Sequence, residues 1–563
     1  MFILGISCYF HDSAACLVKD GLVIAAAEEE RFSRIKHDNN FPINAINYCL
    51  KEARITPEKI NYVVFYEKPF QKFERILQTC VETFPNSFKI FREAFPQWIL
   101  EKLRMPGLIK KKLDYDGEIL FIPHHKSHAA SAFFASPFEE AAIVTFDAVG
   151  EWVTTAIHYG SGNEIKILKE IKFPHSIGLF YSTITSYLGF KVLNDEYKIM
   201  GLAGWGKPVY IDKFKKLIKL KEDGSFNLNM KYFSYTHEQR MFNEELERFF
   251  RRPIRKPGET IEEFHMNIAS SLQAITEDII LKIVKHAKKI TGSKNLCMAG
   301  GVALNSVANG RIISERIFEN CFFQPVATDA GGALGSALFA FNSILGNQRK
   351  YIMEHVFLGP EFDLKFIKEF LKSNNIEHEK LSKKEIIEFT AEKIANNKVV
   401  GWFQGRMEFG PRALGHRSIL ANPSNPKMKN ILNEKVKHRE WFRPFAPSLI
   451  LEDVNRYFNF DSDFPFMIVT LPVKKEKVKE IISASHVNKT ARPQTTKVER
   501  ENNYHKLIKE FHSLTGLPAV INTSFNVRGE PIVCTLEDAY NCFNNTGIDY
   551  LVLGNYLISK GLK

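Results

Sequence analysis

Apolar and polar residues follow a repeating plan at the start of the chain. FILGISC (2–8) reads as a strand and YFHDS as a polar break. AACLVKDG and LVIAAAEEE are two further apolar runs around Asp20-Gly21, a dipeptide that favours a tight hairpin. The plan returns between Ala141 and Ile171, where AAIVTFDAVGEW, VTTAIHYGSG and EIKILKEI again give strand, polar loop, strand, Gly-containing turn and strand. Two such units predict a duplicated α/β domain whose hairpin loops face one another across a cleft.

The rest of the chain fills in around that plan. Pro42 to Glu52 reads as a short amphipathic helix and Tyr62 to Tyr66 as a strand. Residues 70–113 are aromatic-rich and mostly helical, an insertion that covers a face or forms part of a substrate pocket. Ile119 to Pro123 is a short strand delivering HHKSHAASAFFAS, and residues 178–206 read as a helix followed by a charged loop. No site is readable in 207–260. Helical periodicity runs from Ile261 to Thr291 and leads to a strand at Leu296 to Ala299, then a Gly300-Gly301 turn. Asp329 opens a small-residue helix in ATDAGGALGSALFAF.

Residues 343–355 mark the boundary, giving domains at 1–350 and 351–563. Beyond it the pattern predicts helices at 364–372 and 383–396. Strands are expected at 399–403, 466–471, 519–522 and 550–553, followed by a final short strand. Thr535 and Asp538 form a capping pair for a helix from Leu536 to Asn545. This is a second α/β domain.

Composition narrows the function. A formal charge of +12 favours anionic ligands, but no stripe of Lys/Arg and aromatics continues along the chain, so nucleic acid is not the expected partner. The eight cysteines form no CxxC pair and lie mostly in apolar runs, as reduced core residues of a cytoplasmic protein do. The apolar N-terminus lacks a basic leader and contains His11 and Asp12, and no run of 18 apolar residues exists, so no membrane span is expected.

The positive charge concentrates in GWFQGRMEFGPRALGHRSILANPSNPKMKNILNEKVKHREWFRPFAPSLI (401–450), with nine Lys/Arg against three Glu between Gly405 and Arg443. Glycines there suggest close backbone approach, and Pro411 stiffens the chain before Arg412. Fixed guanidiniums facing one another call for an anion, and the planar fork of Arg matches phosphate or carboxylate oxygens. Arg406, Arg412, Arg417, Lys437, Arg439 and Arg443 make up this set, joined by Arg492 in TARPQT. INTSFNVRGEP adds Asn522, Thr523, Ser524 and Asn526, small groups suited to a planar or phosphate-bearing ligand.

Further candidates lie in the first domain. His124 and His128, four apart, fall on one helical face, and Asp147 and Asp329 stand at comparable strand ends. Imidazole with carboxylate suits Fe²⁺, Mn²⁺ or Zn²⁺. Gly300, Gly301 and Asn305, at a strand-to-helix turn, are placed for a ribose or phosphate. His11 is placed either as a general base or as a loop fastener. Arg31, Arg34 and Lys36 form either a solvated charged turn or an anion contact at the cleft mouth.

These segments closely resemble the NodU/CmcH-type O-carbamoyltransferases. The matches are FHDSAACLVKDG with EEERFSRIKHD, HHKSHAASAFF, FDAVGEW, LGFKVLNDEYKIMGLAGWG, GGVALNSVANGRI, QPVATDAGGALGSAL, GRMEFGPRALGHRSIL, VKHREWFRPFAPS and NTSFNVRGEPIV, in order across nearly the whole chain. The resemblance implies an N-terminal duplicated domain of the actin/sugar-kinase type and a C-terminal α/β domain resembling the threonylcarbamoyl-adenylate synthase fold. It implies an enzyme that converts carbamoyl phosphate and ATP, with its Mg²⁺, to carbamoyl-adenylate. The carbamoyl group then passes to a hydroxyl of a sugar, antibiotic or glycan precursor. By the same resemblance His124, His128, Asp147 and Asp329 are metal ligands, for Fe²⁺ in the first instance. His11 lies beside the acceptor hydroxyl and Lys36 near the nucleotide phosphate. Arg412, Lys437, Arg443, Arg492 and Ser524 contact carbamoyl phosphate and nucleotide. His416 departs from the family's common Asn, and Pro493 stands where relatives carry a small or branched apolar residue. A metabolite kinase and a tRNA-modifying or RNA-binding protein are the alternatives. The acceptor is not legible, and a homodimer is left open.

Overall fold

Strand β1 (Phe2–Ser7) is buried along almost its whole length, which accounts for an apolar run with no polar alternation. It pairs antiparallel with β2 (Ala14–Lys19), which pairs antiparallel with β3 (Leu22–Glu28). Asp20 and Gly21 both have positive φ, at 49° and 88°, closing the hairpin tightly. On its other side β1 pairs in parallel with β4 (Tyr62–Phe65), and β4 with β5 (Glu118–Phe121), giving the order β3-β2-β1-β4-β5. The computed structural model describes residues 1–560, residue 97 by its backbone only.

The second sheet repeats this topology. β6 (Glu140–Phe146), β7 (Val153–Ser161) and β8 (Glu164–Lys172) form the antiparallel part. β9 (Ile218–Leu220) and β10 (Phe226–Leu228) make a separate ribbon. β11 (Asn295–Ala299) and β12 (Asn320–Phe323) then add in parallel, so the order β8-β7-β6-β11-β12 matches the first sheet. The halves differ in their crossovers. One helix, Ser306–Ser314, and a short 3₁₀ turn lie between β11 and β12, whereas helices Pro69–Glu82, Phe88–Leu100 and Met105–Leu113 are inserted between β4 and β5.

The helix Asp329–Phe339 is built of small residues because backbones press on it. A Cβ on Gly335 would come 1.9 Å from the carbonyl oxygen of Ser127, and one on Gly5 1.9 Å from that of Ala333. The helix therefore lies directly between β1 and the helix His124–Phe133.

The chain divides into two units, one of Met1–Glu29 with His37–Met353, the other of Glu30–Lys36 with Glu354 onward. The second unit holds β13 (Glu379–Lys380), β14 (Val400–Phe403), β15 (Arg417–Ala421), β16 (Ala446–Ile450), β17 (Leu471–Pro472), β18 (Thr490–Ala491), β19 (Gln494–Thr496), β20 (Ala519–Ser524), β21 (Tyr550–Leu553) and β22 (Tyr556–Ser559). All but β17 and β18 form one mixed sheet, ordered β13-β22-β21-β14-β15-β20-β16-β19.

Several local expectations are corrected. Residues 466–470 are not a strand, because Met467 sits in the left-handed region at φ 54° and breaks extension; only Leu471–Pro472 pairs. The basic stretch holds two strands that its charge conceals, β15 and β16, both fully buried. The charged loop before Gly206 contains the helix Glu196–Ala203. Arg31 and Arg34 are neither a solvated turn nor an anion contact, since they tie Glu30–Lys36 into the second unit. Arg31 donates to the Gly410 carbonyl, and Arg34 donates to those of Pro531 and Ile532.

Candidate active site

His124 opens its helix directly after β5 and Pro123, and His128 follows one turn later. Asp147 is the first residue after β6, and Asp329 opens its own helix. The fold brings all four together, each no more than 7% exposed. His124 Nε2 lies 2.9 Å from Asp147 Oδ2, 3.1 Å from His128 Nε2 and 3.6 Å from Asp329 Oδ1. His128 Nε2 lies 3.6 Å from Asp329 Oδ1 and 3.8 Å from Asp147 Oδ2. Neighbouring ligands about 2.1 Å from one metal stand roughly 3.0–3.4 Å apart, so the set fits a divalent ion of borderline softness.

The site's electrostatics agree with that fit. Burial works against a charged His128, yet hydrogen bonds to Asp147 and Asp329 lift it to about 9, and Asp329 and Asp147 raise His124 too. Burial opposes the Asp147 carboxylate, but the two imidazoles hold it well below the usual range. Two carboxylates thus draw in positive charge, which protons or a metal ion can supply. His125, between His124 and His128 in sequence, turns instead to Thr145 Oγ1 at 2.7 Å, and burial keeps it neutral.

Residues unsuspected from sequence support the cluster. Glu151 accepts from the backbone amides of His124, at 3.0 Å, and Lys68, at 2.8 Å. Tyr66 donates to Asp329 Oδ2 at 3.2 Å, and Glu67 Oε2 lies 3.8 Å from His124 Nδ1. Their sequence signal, a Tyr-Glu pair closing β4 and a Glu four residues after Asp147, is too weak to read alone.

Asp12 stands between two imidazoles, 2.9 Å from His11 Nδ1 and 2.7 Å from His37 Nδ1. Tyr9, Asp12 and His37 all have positive φ, a local strain held by the surrounding fold. His11 Nε2 also reaches the Leu193 carbonyl. Burial disfavours its charge, but Asp12 and that carbonyl raise it to about 10. In this arrangement His11 is a donor on both nitrogens, unlike the general base considered from sequence.

At the strand-to-helix turn, Gly300 has φ 87°, and a Cβ there would come 2.1 Å from the Phe146 carbonyl oxygen. A Cβ on Gly301 would stand 3.5 Å from Asp147 Oδ1, so this turn borders the His/Asp cluster. The Asn305 side chain accepts from Ala308 N at 3.1 Å and exchanges hydrogen bonds with Gln273, which makes it a helix cap rather than a free ligand contact.

In the second unit, Arg412, Arg443 and Arg492 converge. Burial, then the charges of Arg412 and Arg443, press Arg492 well below the usual guanidinium range, and its Nε has no acceptor. Lys437 is lowered by burial and by Arg439, with Arg443 and Lys36 adding to the field. Its ammonium is held by Ser524 O, Ser524 Oγ, Asn526 O and Asn526 Oδ1 at 2.6–3.2 Å, so it fixes the 524–526 loop.

Three of the expected contact residues are fastened to the protein's own polar groups. Arg417 is 0% exposed and donates to the carbonyls of Gln404, Gly405, His416 and Pro360. Arg406 donates to those of Leu358 and Gly359. Asn522 is buried and bonds Gln494 and Ala413. The sequence also concealed Glu408, whose Oε1 accepts from the amides of Leu414, His416 and Arg417 and so holds the turn that presents Arg412. His416 stacks on Phe357 at 3.7 Å and bonds the Arg406 carbonyl through Nδ1.

The doubled sheet thus carries the buried His/Asp cluster and the second unit the convergent arginines. The family described as Carbamoyltransferase N-terminus matches residues 2–338, and Carbamoyltransferase C-terminus matches 391–560. The chain belongs to the carbamoyltransferase family. As such it is an enzyme that uses ATP and carbamoyl phosphate to carbamoylate hydroxyl groups of small molecules. It is 45% identical to an uncharacterized protein, sll1178, of Synechocystis sp., over 99% of this chain and 96% of that one. It is 37% identical to the nodulation protein NolNO of Sinorhizobium fredii, over 98% and 79%. Component A of (R)-2-hydroxyglutaryl-CoA dehydratase from Acidaminococcus fermentans is a remote structural likeness. It covers 61% of this chain and 98% of that one, with 15% identity and a TM-score of 0.33. Among the described residues no helix is long and apolar enough to cross a membrane.

Proposed function

We propose that the second unit activates the carbamoyl group and the first transfers it. The mutual crowding of Arg412, Arg443 and Arg492 carries this reading, because half-buried guanidiniums facing one another are stabilised by a polyanion such as ATP with carbamoyl phosphate. Carbamoyl phosphate takes up water to give carbamate and phosphate. A carbamate oxygen then bonds the α-phosphorus of ATP, and pyrophosphate leaves with its electron pair. The product is carbamoyl-adenylate. The likeness to the threonylcarbamoyl-adenylate synthase fold that the sequence motifs imply leads to the same step.

His124, His128, Asp147 and Asp329 would hold a divalent ion, with Fe²⁺ the favoured identity. Such an ion supplies Lewis acidity beside the reacting group. In the transfer step an acceptor hydroxyl oxygen bonds the carbamoyl carbon, AMP departs, and the hydroxyl proton is lost to the medium. His11, charged and held by Asp12 and the Leu193 carbonyl, contributes its positive charge to the field in which negative charge develops on oxygen. The Gly300–Gly301 turn lets the nucleotide approach the backbone. The acceptor class is a sugar, antibiotic or glycan precursor, an inference strengthened by the nodulation-protein relatives.

The test uses carbamoyl phosphate labelled with carbon-14 in the carbamoyl group and ATP labelled at the γ-phosphate, with a panel of sugars and a cell extract as acceptor source. Carbamoyl label in the acceptor, with AMP and labelled pyrophosphate, is expected. Phosphorylated acceptor with ADP, and no carbamoyl transfer, would make the chain a kinase instead.

A further inference from the structure

Beside the metal cluster stands a group that the transfer reading leaves unused. Arg75 lies in the inserted helix Pro69–Glu82 and is 7% exposed. Its Nε has no hydrogen-bond acceptor, and among the described residues its guanidinium has no ion pair, only the ring of Phe173 at 4.9 Å. Burial draws it down to about 10, partly offset by the charges of Glu67 and Glu151, so it is still a cation at neutral pH. A buried, unbonded guanidinium is among the least favourable groups a fold can retain without use.

Its surroundings are those of a small built site. Lys72, one turn earlier, pairs with Glu67 at 2.6 Å and lies 4.5 Å from the Phe10 ring. Lys102, from the same insertion, donates to the Tyr9 carbonyl at 3.2 Å and covers Trp98 at 4.8 Å. Glu67 and Glu151 are the carboxylates that flank His124. Three cations therefore face two carboxylates, and the excess positive charge sits on the one cation with no bonded partner.

It comes from a different part of the chain than the Gly300–Gly301 turn. Gly300 and Gly301 belong to the second half of the duplicated plan, against Phe146 and Asp147. Arg75, Lys72 and Lys102 come from the insertion between β4 and β5, where the second half has one helix and a short turn. An element present in only one half is free to serve the substrate that differs among carbamoyltransferases, the acceptor.

We infer that Arg75, with Lys72 and Lys102 beside it, forms an anion subsite next to the metal cluster and that the acceptor carries a carboxylate or phosphate bound there. This rests on the proposal that the first unit performs the transfer. The Arg fork would bind the oxyanion bidentately while the aromatic faces flank the acceptor's apolar surface.

The test measures binding to the full-length chain by calorimetry, with excess carbamoyl phosphate present to fill the arginine set of the second unit. The probes are methyl β-glucuronide, glucose 6-phosphate and, as the neutral reference, methyl β-glucoside. At least one anionic probe is expected to bind tenfold or more tightly than the glucoside. Arg75→Gln should bring that ratio to near one, and Arg75→Lys should restore part of it. Equal binding of all three probes by the unaltered chain, or a preference that persists in Arg75→Gln, overturns the inference. A weakened ATP affinity in Arg75→Gln without change in the probe ratio assigns the subsite to the nucleotide phosphate and overturns it as well. Thermal unfolding gives a separate readout: Arg75→Met should raise the melting temperature, and a fall would make Arg75 structural. Failure of the transfer reading would appear differently, as absence of carbamoyl label in every acceptor whatever residue 75 is.

Discussion

The Nε2 atoms of His124 and His128 lie 3.1 Å apart and both face the carboxylates of Asp147 and Asp329. Such a convergence predicts one bound divalent ion per chain. Asp329→Asn or His128→Ala should lower metal content by tenfold or more, as read by mass-spectrometric elemental analysis of purified protein. Binding must displace the proton that His128 holds up to about 9 without metal. Affinity should therefore fall about tenfold for each unit of pH below that value for each proton displaced.

Arg412→Gln tests the arginine set in two directions. Loss of one anion contact should slow pyrophosphate release from ATP and carbamoyl phosphate by about 100-fold, a typical effect of removing one preorganised donor. It should also relieve repulsion on Arg492, so the melting temperature without anion should hold or rise. Added pyrophosphate should stabilise the unaltered chain more than the variant.

Gly300→Ala separates the two steps. Its Cβ would meet the Phe146 carbonyl oxygen at 2.1 Å, in a backbone conformation that alanine disfavours. Acceptor carbamoylation should be lost while pyrophosphate release, assigned to the other unit, continues. If both activities fall together in folded protein, the division of labour is wrong.

Arg417→Met should destabilise the chain by about 2–4 kcal/mol in urea unfolding, since it deprives buried carbonyls of their donor. This distinguishes a scaffold arginine from a ligand-binding one, whose loss would be felt in activity more than in stability.

His416 gives a pH signature. Burial depresses it to about 4, against a normal 6.5. Between those values the unfolded chain binds more protons than the folded one, so stability is present above about 6.5 and is lost as pH falls toward 4. His416→Asn should flatten melting temperature against pH across that window.

Much of the first unit was legible because its signals are local. The Asp20-Gly21 turn and the repeated strand runs read directly as the doubled sheet. His124 and His128 share a helical face at any fold, but that Asp147 and Asp329 join them depends on where β6 and the glycine-lined helix come to rest, which the family resemblance supplied and spacing alone did not. The basic stretch was less transparent. Arg412 and Arg417 look equivalent in GPRALGHR, yet β15 buries Arg417 among carbonyls while Glu408 holds the turn beneath Arg412. Charge in a sequence does not distinguish an arginine that binds a ligand from one that fastens a loop. Arg75 was hidden by the opposite problem, being one of two cations in an amphipathic helix whose pattern marks no site.

The seven residues Glu30–Lys36 belong to the second unit although both their flanks belong to the first. Phe32 fills that unit's cluster of Met407, Ala413, Ile532 and Cys534, and Arg34 pairs with Asp538 at 3.3 Å. The polypeptide thus passes from one unit to the other three times, and a single scission near residue 353 cannot yield two whole pieces. A fragment starting there would lack a stitch of its own core, and the N-terminal remainder would carry an orphaned one. Exchange of the two units between relatives, by evolution or by the engineer, must therefore carry residues 30–36 along with the C-terminal half.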